Sequence, residues 1–245
     1  MAVMPFPAYN SGARPGLLAG MTRNDNATWV PVRSSSRFWR VALTLFVPAA
    51  LLVIALSLGA DPDWILLDPA AVTGAPFYTG LLSNLGVLGW CGSATALLLA
   101  AAVLRSTPEW TREAGALAAG ASVSAVLGFD DLLLLHERVL PNHLGVPEPV
   151  TFGAYGVAAV VYLWHFRDVH LRMDRELLGV AFCMFAVSLV VDLTDPPALG
   201  AWRGIVEDGA KFLGISAWAS YHVRFAASVL GRAIRVMDRY GHHPR

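Results

Sequence analysis

Charge is scarce in this sequence, and lysine and cysteine are scarcer still. Only 15% of residues are Asp, Glu, Lys or Arg, against roughly 25% in an ordinary soluble domain. The formal net charge is zero, so nothing suggests a nucleic-acid partner. Cys91 and Cys183 are the two cysteines. They provide neither a disulfide framework nor metal-type spacing, and inside apolar blocks they read as small buried apolar residues. No internal repeat is visible. Residues 1–36 hold Pro, Gly, Ser, Asn and Arg but no apolar run. Without that run the segment is not a cleavable signal peptide, and it reads as a flexible cytoplasmic tail.

What the chain does have is apolar residues in long blocks. They make up 56% of its 245 residues, and the mean hydropathy is +0.53. A helix needs roughly 20 residues to cross about 30 Å of hydrocarbon. Six blocks approach that length: Phe38–Gly59, Leu81–Leu104, Ala114–Glu137, Val150–Phe166, Leu177–Thr194 and Gly204–Arg224. Arginine orients them. Arg14, Arg23, Arg33 and Arg37 precede the first block and Arg40 stands in its first turn, Arg105 and Arg112 follow the second, and Arg167, Arg172 and Arg175 follow the fourth. Arg232, Arg235, Arg239 and Arg245 follow the sixth, whereas the intervening loops hold no arginine or a single one. Positive charge stays on the cytoplasmic side. The expected fold is an all-α polytopic membrane helix bundle of about six transmembrane helices, with both termini cytoplasmic. It comprises a 1–36 tail, a 37–231 transmembrane domain and a 232–245 basic cytoplasmic tail, in a plasma or bacterial inner membrane. The lipid bilayer is then its chief partner, with assembly as a homo-oligomer or as a subunit of a membrane complex left open. Gly86, Gly89, Gly92, Gly115, Ala118, Ala119 and Ser122 read as close-packing positions. Trp39, Trp64, Trp90, Trp110, Trp164 and Trp202 read as an interfacial belt.

Three places break the apolar pattern: Asp130-Asp131 with His136-Glu137 at the end of the third block, Asp192 at the end of the fifth, and Glu207-Asp208 with Lys211 at the start of the sixth. On the arginine topology all three fall in the outer half of the bilayer. A regular helix puts Asp130 and Glu137 about 20° apart on one stripe, with Asp131 and His136 off it by ~100° and ~120°. On the sixth helix Glu207, Lys211, Gly214, Trp218 and His222 share a sector of roughly 80°. Lys211 is the single lysine, and Glu207 one turn before it is the expected partner. His165, His170, His242 and His243 read as solvated. Six acids against Lys211, Arg138 and Arg203 leave a negative surplus. Buried carboxylates in surplus take up protons or bind a cation.

The polar site therefore comprises Asp130, Asp131, His136, Glu137, Asp192, Glu207, Asp208, Lys211 and His222. Asp130, His136, Glu137 and Glu207 are the expected ligands if a divalent metal binds, and mixed carboxylate and imidazole ligands suit zinc, iron or manganese. Neither His-x-x-x-His nor Glu-x-x-His is present. Three readings stay open: binding or transport of a cation, proton or small polar ligand; a membrane-embedded metal-dependent hydrolase acting on a lipid or periplasmic substrate; and a structural accessory subunit. A retinal protein is disfavoured by six spans and by a lysine so near the outer edge.

The segments Phe129-Asp130-Asp131-x4-His136-Glu137 and Glu207-Asp208-x-x-Lys211-x-x-Gly214 are similar to those of uncharacterised bacterial multi-pass membrane proteins. That resemblance implies a shared bundle and no assigned activity. A weaker resemblance is to the alkaline ceramidase and progestin-receptor superfamily, which implies zinc held by one Asp and three His. The present chain departs from it, having His222 alone on its last helix.

Overall fold

The computed structural model describes residues 66–241 apart from 174, together with scattered positions between 42 and 57. The expected 1–36 tail, most of the first span, and His242 and His243 lie outside the described residues. The chain divides into two units at Ala75 and Pro76. In the first, α1 (Pro69–Thr73) starts where the Asp68 side chain accepts the Ala70 N–H at 2.8 Å, and it closes at Gly74, whose φ of +64° is one that glycine tolerates.

The second unit is helical throughout, with no strand among the described residues. It comprises α2 (Leu81–Leu104), α3 (Thr111–Leu133), a π-helical segment (Leu135–Leu144), α4 (Glu148–His165), α5 (Arg167–His170), α6 (Glu176–Thr194) and α7 (Arg203–Gly241). Leu81–Leu104, Pro108–Leu133 and Glu176–Thr194 are long and apolar enough to cross a membrane. α4 and α7 carry the expected fourth and sixth blocks without reaching that standard. On α7 the polar residues turned into the bundle, such as Lys211 and His222, lower the mean hydropathy.

α2 packs on α3 and α7, and α7 packs on α6. Close approaches give the helix directions. A Cβ added at Gly128 would lie 2.9 Å from Trp90 Cβ, and one at Gly120 would lie 3.2 Å from Leu97, so α2 and α3 are antiparallel. Gly86 and Gly89 both rest on Ile215, and Gly89 also nears Ala219, so α2 and α7 run together. Gly214 lies against Phe185 and Trp218 against Phe182, so α6 opposes α7. The ends of α3 and α6 therefore meet the start of α7.

Small residues act as packing positions only in part. Gly86 and Gly89 meet α7, whereas Gly92 has nothing within 4 Å and Ala118 and Ser122 are exposed. Gly120 and Gly128 make the tighter approaches because they face Tyr162 and Trp90. Leu97, Leu117, Trp218, Tyr221, Phe225 and Val229 fill the core, while Leu88, Leu98, Val160, Val161 and Val190 face outward. A water-soluble monomer rarely exposes so much contiguous apolar surface. Cys91 and Cys183 are exposed, not buried, because they stand on these outward faces. Trp90 is buried in the core and is no belt residue. Trp164 and Trp202 do face outward.

Candidate functional site

The regular helix assumed for Ala114–Glu137 ends early. Leu134 adopts φ +51°, a left-handed conformation costing a leucine roughly 1–2 kcal/mol, and the chain continues as the π-helical segment. The break replaces the expected stripe. It folds His136 back onto Asp130, and the two residues, expected on different faces, touch. Asp130 is buried. Its Oδ1 accepts the His136 backbone N–H at 2.9 Å and the Tyr155 hydroxyl at 2.8 Å, while Oδ2 meets His136 Nδ1. An ionised Asp130 fixes the tautomer that carries its proton on Nδ1, leaving the Nε2 lone pair free. Nε2 faces Glu137 Oε1 at 3.5 Å and Glu148 Oε1 at 3.8 Å. The ring is buried, with Phe152 4.9 Å away, centroid to centroid. At the mouth of α4, burial and the nearby Asp192 charge raise the Glu148 carboxyl above its ordinary range.

Asp131 points elsewhere. Lys211 Nζ lies 2.8 Å from its Oδ1, and Trp90 Nε1 donates to its Oδ2 at 2.8 Å. The expected Glu207–Lys211 pair is replaced by this interhelical one, because the end of α3 meets the start of α7 and offers the ammonium a better-buried carboxylate. Glu207 instead faces Arg203 at 3.5 Å. Arg203 also gathers Asp195 at 2.9 Å and Asp192 at 3.6 Å. Asp208 is exposed.

Asp130, Asp131 and His136 each offer an atom within 4.8 Å of the others. The Lys211 ammonium, however, already occupies Asp131, and a cation there would be repelled. The carboxylates that face the other imidazole nitrogen are Glu137 and Glu148, with Asp130 behind the ring. Glu148, Tyr155 and Trp90 are absent from the expected set. Only the Pro147-Glu148-Pro149 helix start pointed to Glu148, by marking a carboxylate at a helix mouth.

His222 stands apart, eleven residues or roughly 16 Å along α7 from Lys211. Fully buried, it meets Tyr162 Oη through Nε2 at 3.2 Å and the Trp218 carbonyl through Nδ1 at 3.0 Å. His170 is buried beside it rather than solvated, because α5 folds in under the core. Its Nδ1 meets Tyr221 Oη at 2.7 Å, and burial pushes its pKa down to about 4. His165 is exposed, beside Arg112.

Residues 40–225, more than half of the chain, match the model of a family described as a domain of unknown function, DUF8692, and the chain belongs to that family. No curated protein matches it. No solved structure matches it.

Proposed function

We propose that this DUF8692 member is a six-span membrane protein with both termini in the cytoplasm, whose outer end binds a divalent cation for uptake, storage or transfer. The arginine pattern, the outward-facing apolar residues and the alternating helix directions support the membrane reading. One observation carries the cation reading. The buried His136 imidazole, held through Nδ1 by Asp130, turns its other nitrogen towards Glu137 and Glu148. A carboxylate behind a ligating histidine orients the ring and raises its basicity. One imidazole with two carboxylates suits zinc, iron or manganese. Elemental analysis of detergent-purified protein tests this. About one metal per chain is expected in wild type and none in His136→Asn. Wild type without metal, and without measurable zinc or manganese binding on titration, removes the reading.

A second reading, metal-dependent hydrolysis, is favoured by the donor count. Three protein ligands leave a position for a water that the metal would acidify. Hydrolysis of lipid esters or amides that disappears with the metal, while metal uptake into liposomes stays at background, would select it over transport.

A further inference from the structure

The opposite end of the bundle carries a second polar feature that the metal reading does not use. α3 rises roughly 25 Å between Glu113 and Asp130, so the two ends are well separated. Arg172, Arg232 and Arg235, with Trp110, Glu113 and Val236, line a cleft of about 320 Å³. Arg232 and Arg235 are three apart on α7 and share a face, where like charges repel. One carboxylate opposes the three guanidinium groups, and its contact is long: Glu113 Oε1 lies 3.9 Å from Arg172 Nη1. Three positive charges against one negative leave a formal charge of +2. Arg232 Nε and Nη2 are shut off from water and have no acceptor among the described residues. Buried donors on a cation are costly when left unpaired.

We propose that this cleft binds a phosphate group. Phosphate supplies what the cleft lacks: paired acceptor oxygens that match the two parallel N–H groups of a guanidinium fork, with a charge that offsets the surplus. On the topology proposed above this end faces the cytoplasm, where anionic lipid headgroups meet basic pockets between helices. Free phosphate offers the same chemistry, and the binding experiment separates the two sources. The inference is independent of the cation site.

The full-length protein in neutral detergent is titrated separately with dioctanoyl phosphatidylglycerol, dioctanoylglycerol and inorganic phosphate. Binding is read as Tm and as ligand retained in native mass spectrometry. Phosphatidylglycerol is expected to bind and dioctanoylglycerol, which lacks phosphate, is not. Arg232→Gln weakens binding about tenfold or more and Arg235→Gln less, while Arg167→Gln, which lies outside the cleft, leaves it unchanged. Inorganic phosphate binding with the same Arg232 dependence assigns the site to free phosphate; binding by the lipid alone assigns it to a headgroup. If Arg232→Gln does not fold, the exposed Arg235→Gln and the charge-keeping Arg232→Lys carry the test. The proposal is overturned if neither phosphate compound binds, or if the variants that fold bind both as tightly as wild type.

Discussion

His136 and His170 are both buried, yet their surroundings are opposite in kind. Around His136 stand three carboxylates, those of Asp130, Glu137 and Glu148. Around His170 stand Tyr221, Phe225 and the Tyr162 ring, and the imidazole stays neutral because burial outweighs the pull of the Asp168 charge. The difference lies in the backbone. His136 follows a helix break at a helix end, where carboxylates from α3 and α4 converge. His170 sits on a short helix tucked beneath regular helices that contribute aromatic side chains. Burial alone therefore does not make a histidine a ligand; the partners that the chain path brings to it do.

The largest effect should come from breaking the acidic region at its centre. Asp130→Asn keeps the side-chain shape but removes the charge that holds His136. Loss of one partner from a buried pair costs about 3 kcal/mol or more, and loss of an outer-sphere carboxylate weakens metal affinity 10- to 100-fold. Denaturant unfolding and metal titration should both report it. Unchanged values in both would reduce the Asp130–His136 contact to a bystander.

Next comes the pair beside it. Lys211→Met leaves Asp131 buried without its cation and should cost about 2–3 kcal/mol. Adding Asp131→Asn should recover at least half of that loss, since a neutral amide retains the Trp90 contact. An additive double mutant would mean that the pair is not coupled. If the metal sits at His136, Glu137 and Glu148, the double variant also retains it; loss of metal there would move the ligand set towards Asp131.

These two regions were not equally legible in the sequence. Block length sufficed for the helices Leu81–Leu104 and Glu176–Thr194, because apolar runs are a strong local signal. The acidic pair and His136-Glu137 were visible as breaks in that pattern. Their geometry was not, since extrapolating 100° per residue assumes a helix that Leu134 interrupts, and a leucine gives no turn signal. Glu148 was missed because it opens its helix just ahead of the apolar block, between two prolines, and looked like a loop residue. Lys211 was paired with the carboxylate one helical turn before it, whereas a partner 80 positions away wins in space. His170 was misjudged for the same reason: its exposure is decided by how α5 docks, which no local pattern records.

The neutral side of the comparison is sharpened by pH. His170 has a folded pKa of about 4, below the usual 6.5. Its contribution to stability is fully present above pH 6.5 and is lost as pH falls through that value towards 4, because the unfolded chain takes up the proton first. Wild-type Tm should therefore fall between pH 6.5 and 4.5 by roughly 5–10 °C more than that of His170→Gln, which cannot titrate. Parallel curves for the two proteins would show that the ring is solvated after all.

The smallest effect belongs to the exposed charges at the basic end. Arg112 Nη2 lies 3.0 Å from Asp168 Oδ1 and also donates to the His165 carbonyl, and its guanidinium holds the Asp168 carboxyl below the usual range. That shift stabilises the folded chain above about pH 4 and fades as pH drops through the lowered folded value. Both side chains stand in solvent, where salt screens the pair. Arg112→Gln should change Tm by less than about 2 °C at 0.15 M salt, while the Asp168 carboxyl returns to its ordinary titration range by NMR. Lys211→Met exchanges a single cation likewise and should cost several times more, because Asp131 is buried and Asp168 is not. A large loss from Arg112→Gln would mean that the basic end is held together by its ion pairs, and the contrast between an acidic end built for charge and a basic end that merely carries it would disappear.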